Sequence, residues 1–133
     1  MSADVVSVLI VDDQAPFRLA AGAVIRRTPG FELRGEADNG EEAVDRVGEL
    51  EPSLVLMDIS MPGISGIEAT RRILAHQPAT VVFLCSTYQL DDLPGDAATS
   101  GAVAYVNKEE LAPELLRRLW DQRADGRAGL LTG

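Results

Sequence analysis

Leu54-Val55-Leu56-Met57-Asp58, continuing through Ile59-Ser60 into the loop Met61-Pro62-Gly63-Ile64-Ser65-Gly66, decides how this chain reads. An apolar run this short, entered after Glu51-Pro52, suits a strand buried on both faces, and it ends on a carboxylate. The loop then leads into a helix from about Ile67 to His76. The same alternation extends in both directions. Upstream, Val5-Val6-Ser7-Val8-Leu9-Ile10-Val11 is nearly continuously apolar and rich in β-branched residues, and it ends abruptly in Asp12-Asp13. Pro16 suits the first turn of a helix, and Phe17, Ala20, Ala21, Val24 and Ile25 recur at helical spacing until Thr28-Pro29-Gly30. Phe31 to Ala37 reads as a second strand and Asp38-Asn39-Gly40 as a turn and helix cap. Ala43, Val44, Val47 and Leu50 form the stripe of a second helix. Downstream, Val81 to Cys85 and Ala102 to Val106 are the fourth and fifth strands, and Leu111, Leu115, Leu116 and Leu119 stripe a last helix.

Strands alternating with helical segments require right-handed crossovers, hence an α/β fold with a five-stranded parallel sheet and helices on both faces. The expected order is flavodoxin-like, 2-1-3-4-5. Ligands of such sheets bind beyond the carboxyl ends of the strands where the order reverses, between the first and third strands. Asp12, Asp13 and Asp58 stand at those two ends.

The 133 residues fit one domain, taken as residues 1–122, with 123–133 read as a flexible tail or the start of a linker. The apolar fraction of 46% and charged fraction of 25% match a folded globular domain. No apolar run is long enough to span a bilayer, and the N-terminus lacks a signal-peptide pattern, so the expected compartment is the cytoplasm. Twelve Lys and Arg against 21 Asp and Glu give a net charge of −9, which argues against direct nucleic-acid binding. Clustered carboxylates are, however, the hard oxygen ligands that magnesium prefers. The single cysteine, Cys85, sits in an apolar run and reads as core packing. His76 has no second ligand nearby and reads as a helix-end residue.

Three carboxylates converging from two strand ends repel one another unless a cation sits among them. Carboxylate-held metal is a usual means of neutralising a phosphoryl group during transfer. Lys108, after the fifth strand, can supply a fixed cation, and Ser86, at the end of the fourth, a hydroxyl donor.

These residues carry a resemblance. Val11-Asp12-Asp13, Met57-Asp58-Ile59-Ser60-Met61-Pro62-Gly63 with Gly66, Ser86, and Tyr105 followed by Lys108 resemble the receiver domains of two-component response regulators (a CheY-like fold), from about Val5 to Trp120. The closest wording is that of the subfamily that usually carries a C-terminal helix-turn-helix domain. The resemblance implies that Asp58 accepts a phosphoryl group from a sensor histidine kinase. It implies Mg2+ held by Asp12, Asp13, Asp58 and the backbone carbonyl of Ser60. Lys108 would pair with the phosphoryl oxygens, Ser86 would swing toward them, and Tyr105 would be a switch aromatic whose rotamer follows Ser86. Thr87, beside Ser86, stands where many relatives have alanine and narrows access to the phosphoryl group. The resemblance also implies a signalling domain rather than a turnover enzyme, with a possible homodimer, and with DNA contacted only through a further domain.

The chain departs from the family pattern after the fourth strand. Pro94-Gly95 falls inside the expected fourth helix of Gln89 to Ser100 and predicts a short or irregular one. That departure keeps open a pseudo-receiver that binds proteins without being phosphorylated. An aspartyl phosphatase is less well matched, because Ser60 stands where a second acid would serve the leaving group. A flavodoxin-type carrier is disfavoured by the acidic first loop.

Overall fold

The computed structural model describes residues 5–128 and 130–132. The apolar run before Asp12 forms β1 (Val6–Val11), wholly buried, and the stretch ending in Asp58 forms β3 (Leu54–Asp58), also wholly buried. Between them lie α1 (Ala15–Arg26), β2 (Phe31–Ala37) and α2 (Gly40–Leu50). After β3 come α3 (Gly66–His76), β4 (Val81–Ser86), β5 (Ala104–Asn107) and α4 (Pro113–Asp121). The sheet runs β2-β1-β3-β4-β5 with every pairing parallel, as the sequence predicts. Its five strands gain a sixth, the two-residue β6 (Leu131–Thr132), which adds to β5 in parallel. That strand falls in the stretch read as a tail or linker, where Arg123–Ala128 also coils into a 3-10 turn. The outermost residues 1–4 and 133, together with Gly129, lie outside the described residues.

Strand periodicity divides the core into two layers. Leu9, Val11, Val55, Met57, Val82, Leu84 and Tyr105 face α2 and α3, packing with Ala43, Val47, Ile67 and Ile73. Val8, Ile10, Leu54, Leu56, Phe83, Cys85, Ala104 and Val106 face the other way, onto Ala21, Ile25, Leu115, Leu116 and Leu119 of α1 and α4. Cys85 is a buried core residue, as read, and burial pushes its thiol up to about 12.

Local capping sets where the helices begin. Asn39 accepts a hydrogen bond from the Glu42 N–H at 2.8 Å, while Glu42 Oε1 accepts from the Asp38 N–H at 2.9 Å, so two otherwise free donors are satisfied together. Ser65 accepts from the Glu68 N–H at 3.1 Å and starts α3. The expected fourth helix is replaced by two 3-10 segments, Leu90–Asp92 and Gly95–Thr99, separated at Leu93-Pro94. The ring at Pro94 stops any continuous helical ladder there. β5 begins two residues later than its apolar run suggests, because Gly101 takes φ +99° and delays the return to extended backbone.

α3 docks directly on the end of β3. A Cβ at Gly66 would stand 1.9 Å from the Asp58 carbonyl oxygen, a backbone atom that cannot yield, and the Gly66 N–H donates to the Ile59 carbonyl at 2.9 Å. Gly66→Ala should therefore cost more than about 3 kcal/mol, or prevent folding, by forcing α3 off the strand end. Urea unfolding checks this; a loss under about 1 kcal/mol would show that the loop absorbs the methyl group.

Candidate phosphoacceptor site

The β1–β3 pairing runs through Val11 and Met57, which brings Asp12 and Asp58 out side by side where the sheet order reverses. Asp12 is fully buried and Asp58 is 4% exposed, while Asp13 is half-buried at the rim. One carboxylate oxygen from each lies within 4.8 Å of the others. At an effective dielectric of about 20, each such pair of charges repels by roughly 3 kcal/mol or more. The second strand end therefore needs a cation.

Lys108 supplies one. Its Nζ lies 2.5 Å from Asp12 Oδ2 and 3.4 Å from Asp58 Oδ1. The Lys108 ammonium also lies 4.6 Å from the centre of the Phe17 ring, whose face attracts it further. Burial alone would lower the Lys108 pKa, but its contacts with Asp12 and Asp58 outweigh that and hold it above the ordinary lysine value. Asp58 moves the other way from a free carboxylate: burial, then the charge of Asp12, raise it from 3.8 to about 6, against the opposing pull of Lys108 and of the Ser60 N–H.

One ammonium does not satisfy three carboxylates. Asp12 Oδ2 is buried and accepts no directed hydrogen bond; its contact with Lys108 is an ion pair whose angles lie outside hydrogen-bond geometry. Asp12 Oδ1 accepts from the Gln14 N–H at 2.8 Å, and Arg18 Nη1 donates to the Asp12 carbonyl at 2.6 Å, so the residue itself is firmly held. An under-coordinated buried oxygen with two more carboxylates around it is a donor set that fits a hard divalent cation.

Ser86 and Tyr105 meet, but not at Asp58. The Tyr105 ring is buried and its hydroxyl lies 3.0 Å from Ser86 Oγ, 3.1 Å from the Ser86 carbonyl and 2.6 Å from the Tyr88 carbonyl. Ser86 Oγ also accepts from the Tyr88 N–H at 3.1 Å. A phenol carries one proton, so the shortest contact assigns it to the Tyr88 carbonyl, and the Ser86 hydroxyl then donates to Tyr105. Tyr105 is thus held inward by a closed ring of hydrogen bonds. Burial, opposed by the Ser86 hydrogen bond, raises the pKa of its phenol. Thr87 is exposed beside this ring, and Ser60 is exposed at the start of the loop after Asp58. His76 is exposed at the end of α3, its ring 3.1 Å from the Arg72 carbonyl and away from the carboxylates.

Two contributors escaped the sequence reading. Phe17 has the spacing of a helix stripe, and nothing local reveals that it lies beside the lysine. Tyr88 links three parts of the site, since its hydroxyl lies 3.4 Å from Ser60 Oγ while its backbone holds Ser86 and Tyr105. Its place two residues after Ser86 was the available signal.

A parallel α/β sheet with clustered acids, a paired lysine and a hydroxyl–tyrosine couple at its switch point defines a phosphoacceptor class of signalling domain. Comparison with known proteins agrees: the response regulator receiver domain family matches residues 8–120, and the chain belongs to that family. It is 34% identical to response regulator GacA of Pseudomonas viridiflava over 86% of this chain and 53% of that protein, so it spans about half the length of such relatives. It is 39% identical to chemotaxis protein CheY of Thermotoga maritima, over 76% of this chain and 83% of that one. Among solved structures, the response regulator domain of Thermotoga maritima CheB superposes with a TM-score of 0.80 at 31% identity, covering 90% of this chain and 97% of that one. A LuxR-family response regulator from Aurantimonas sp. SI85-9A1 gives 0.81 at 29% identity, covering 97% and 89%. The chain is accordingly a phosphoacceptor receiver domain of two-component signalling. The pseudo-receiver alternative loses its footing, since the acidic residues and the lysine are all present and brought together.

The raised Asp58 pKa has a sign. The folded metal-free protein binds that proton more tightly than the unfolded chain, so stability is full below about pH 4 and falls as pH rises through about 6. Asp58→Asn should remove this slope and raise neutral-pH stability in EDTA by about 1–3 kcal/mol. Urea unfolding across that pH range checks it. An unchanged slope in the variant would show that the carboxylate is not strained.

Proposed function

We propose that Asp58 takes the phosphoryl group, in a magnesium-dependent transfer from the phosphohistidine of a sensor histidine kinase. The observation that carries this reading is the Asp58 carboxylate at the end of the central strand, 3.4 Å from a lysine that is itself pinned by Asp12. An Asp58 oxygen attacks phosphorus, the bond from phosphorus to the kinase imidazole breaks, and the imidazole nitrogen leaves with the bonding pair. The product is an acyl phosphate on Asp58. Lys108 is already placed to pair with a phosphoryl oxygen, and its ion pair with Asp12 and its contact with Phe17 limit the reorganisation this requires.

Magnesium, when bound, neutralises charge on the transferring group. Asp12, Asp13 and Asp58 would hold it with the backbone carbonyl of Ser60, a set supported by the clustered carboxylate oxygens. The Ser86 hydroxyl has two possible acceptors, Tyr105 and a phosphoryl oxygen on Asp58, and Thr87 flanks the approach to the second. In this reading the domain catalyses only its own phosphorylation and dephosphorylation, works in the cytoplasm, and reaches DNA only through a further domain. Its net charge of −9 supports that last point, and self-association into a homodimer is compatible with it. No helix among the described residues is long and apolar enough to cross a membrane.

Intact-mass spectrometry after incubation with magnesium and acetyl phosphate tests the assignment. The wild type should gain one phosphoryl mass, Asp58→Ala none, and Lys108→Ala should gain it about 10²-fold more slowly. EDTA should abolish the gain. Phosphorylation of Asp58→Ala at the wild-type rate would place the acceptor elsewhere.

A further inference from the structure

β1 ends at Val11, and the Asp12 N–H still donates to the Ala37 carbonyl of β2 at 3.0 Å. At the carbonyl of Asp12 the chain turns away toward α1, and a buried backbone acceptor there must find a donor. Arg18, in the first turn of α1, provides it. Its Nη1 donates to that oxygen at 2.6 Å, while its Nε donates to Glu36 Oε1 of β2 at 3.0 Å.

The Asp12 carbonyl and the Asp13 N–H belong to one rigid, planar peptide unit. A donor that fixes the carbonyl therefore fixes the plane from which both side chains depart. The two carboxylates differ in what else restrains them. Asp12 Oδ1 is held by the Gln14 N–H at 2.8 Å and Oδ2 by Lys108. Among the described residues, Asp13 receives one long contact at the surface, from Gln14 Nε2 at 3.4 Å. The placement of Asp13 thus rests on its backbone, and Arg18 is the side chain that grips it.

We infer that Arg18 is a positioning residue of the divalent-cation site: by holding the peptide plane between Asp12 and Asp13, it keeps the Asp13 carboxylate within reach of Asp12 and Asp58. This rests on the magnesium reading above and adds to it a residue outside the carboxylate set. Arg18 touches none of the reacting atoms. The sign of its effect separates positioning from plain electrostatics. Arg18 is a cation beside a cation site, so removing its charge alone would tighten metal binding. Losing a contact that aims the ligands does the opposite, typically by about 10- to 100-fold. The ion pair with Glu36 is a separate matter, since Glu36 is 44% exposed and such pairs hold little.

Manganese titration of the full-length chain tests this, with free Mn2+ counted by its EPR signal. Arg18→Ala should bind about tenfold more weakly than the wild type. Arg18→Lys keeps the charge and the aliphatic stem but lacks the planar fork that spans both partners, so it should also lose at least about threefold. Glu36→Gln, which leaves an acceptor for Nε, should stay within about twofold of the wild type. With acetyl phosphate, the magnesium needed for half-maximal phosphorylation of Arg18→Ala should rise in step with the manganese constant, while the rate at saturating magnesium stays within about twofold. Equal or tighter manganese binding in either Arg18 variant overturns the inference, as does a loss in Glu36→Gln as large as in Arg18→Ala. Arg18→Lys decides alone if the alanine variant does not fold. A wild type that binds no manganese defeats the magnesium reading itself, and the positioning role falls with it.

Discussion

Burial of two carboxylates at neighbouring strand ends is the constraint around which the rest of this domain is arranged. Asp12 and Asp58 are forced together by the register of β1 against β3, and their mutual repulsion is met by a single lysine delivered from β5, two strands away from β3. Every other feature of the site answers to that electrostatic deficit. Phe17 of α1 lies against the lysine's charge, and the Gln14 and Ser60 N–H groups each serve one carboxylate. A phosphoryl group arriving here would meet one positive partner, Lys108, already held in place.

The sheet order makes this convergence possible and also sets its reach. Residues facing α2 and α3 include Tyr105, whereas its neighbours Ala104 and Val106 face α1 and α4. Tyr105 is therefore the one β5 side chain on its layer with a hydroxyl able to meet the end of β4. The ring of hydrogen bonds through Ser86, Tyr88 and Tyr105 closes over the β4–β5 side of the site, while Lys108 closes the side toward β1 and β3. β5 and the residue that follows it thus contribute both the buried aromatic and the fixed cation.

Much of this was legible in the sequence because it rests on local pattern. Continuous apolar runs ending in Asp12-Asp13 and in Asp58 specify buried parallel strands with acids at their carboxyl ends, and Pro94-Gly95 specifies the broken helix. What was illegible depends on side-chain direction or on pairs too short to show a period. Phe17 has the spacing of a core residue, and only its rotamer against Lys108 reveals its second task. Tyr88 acts mainly through its backbone, which sequence does not display. Leu130-Leu131-Thr132 between glycines carries no strand signature, since two paired residues cannot show alternation.

The broken segment after β4 divides the molecule into parts that bear very different mutational burdens. Between Asp91 and Thr99 only Ala97 is buried among the described side chains, so most positions there can change without a penalty in folding. The strand ends that hold the acids have no such freedom. A lineage of such domains can therefore rewrite this exposed stretch while inheriting the buried carboxylates and their lysine intact.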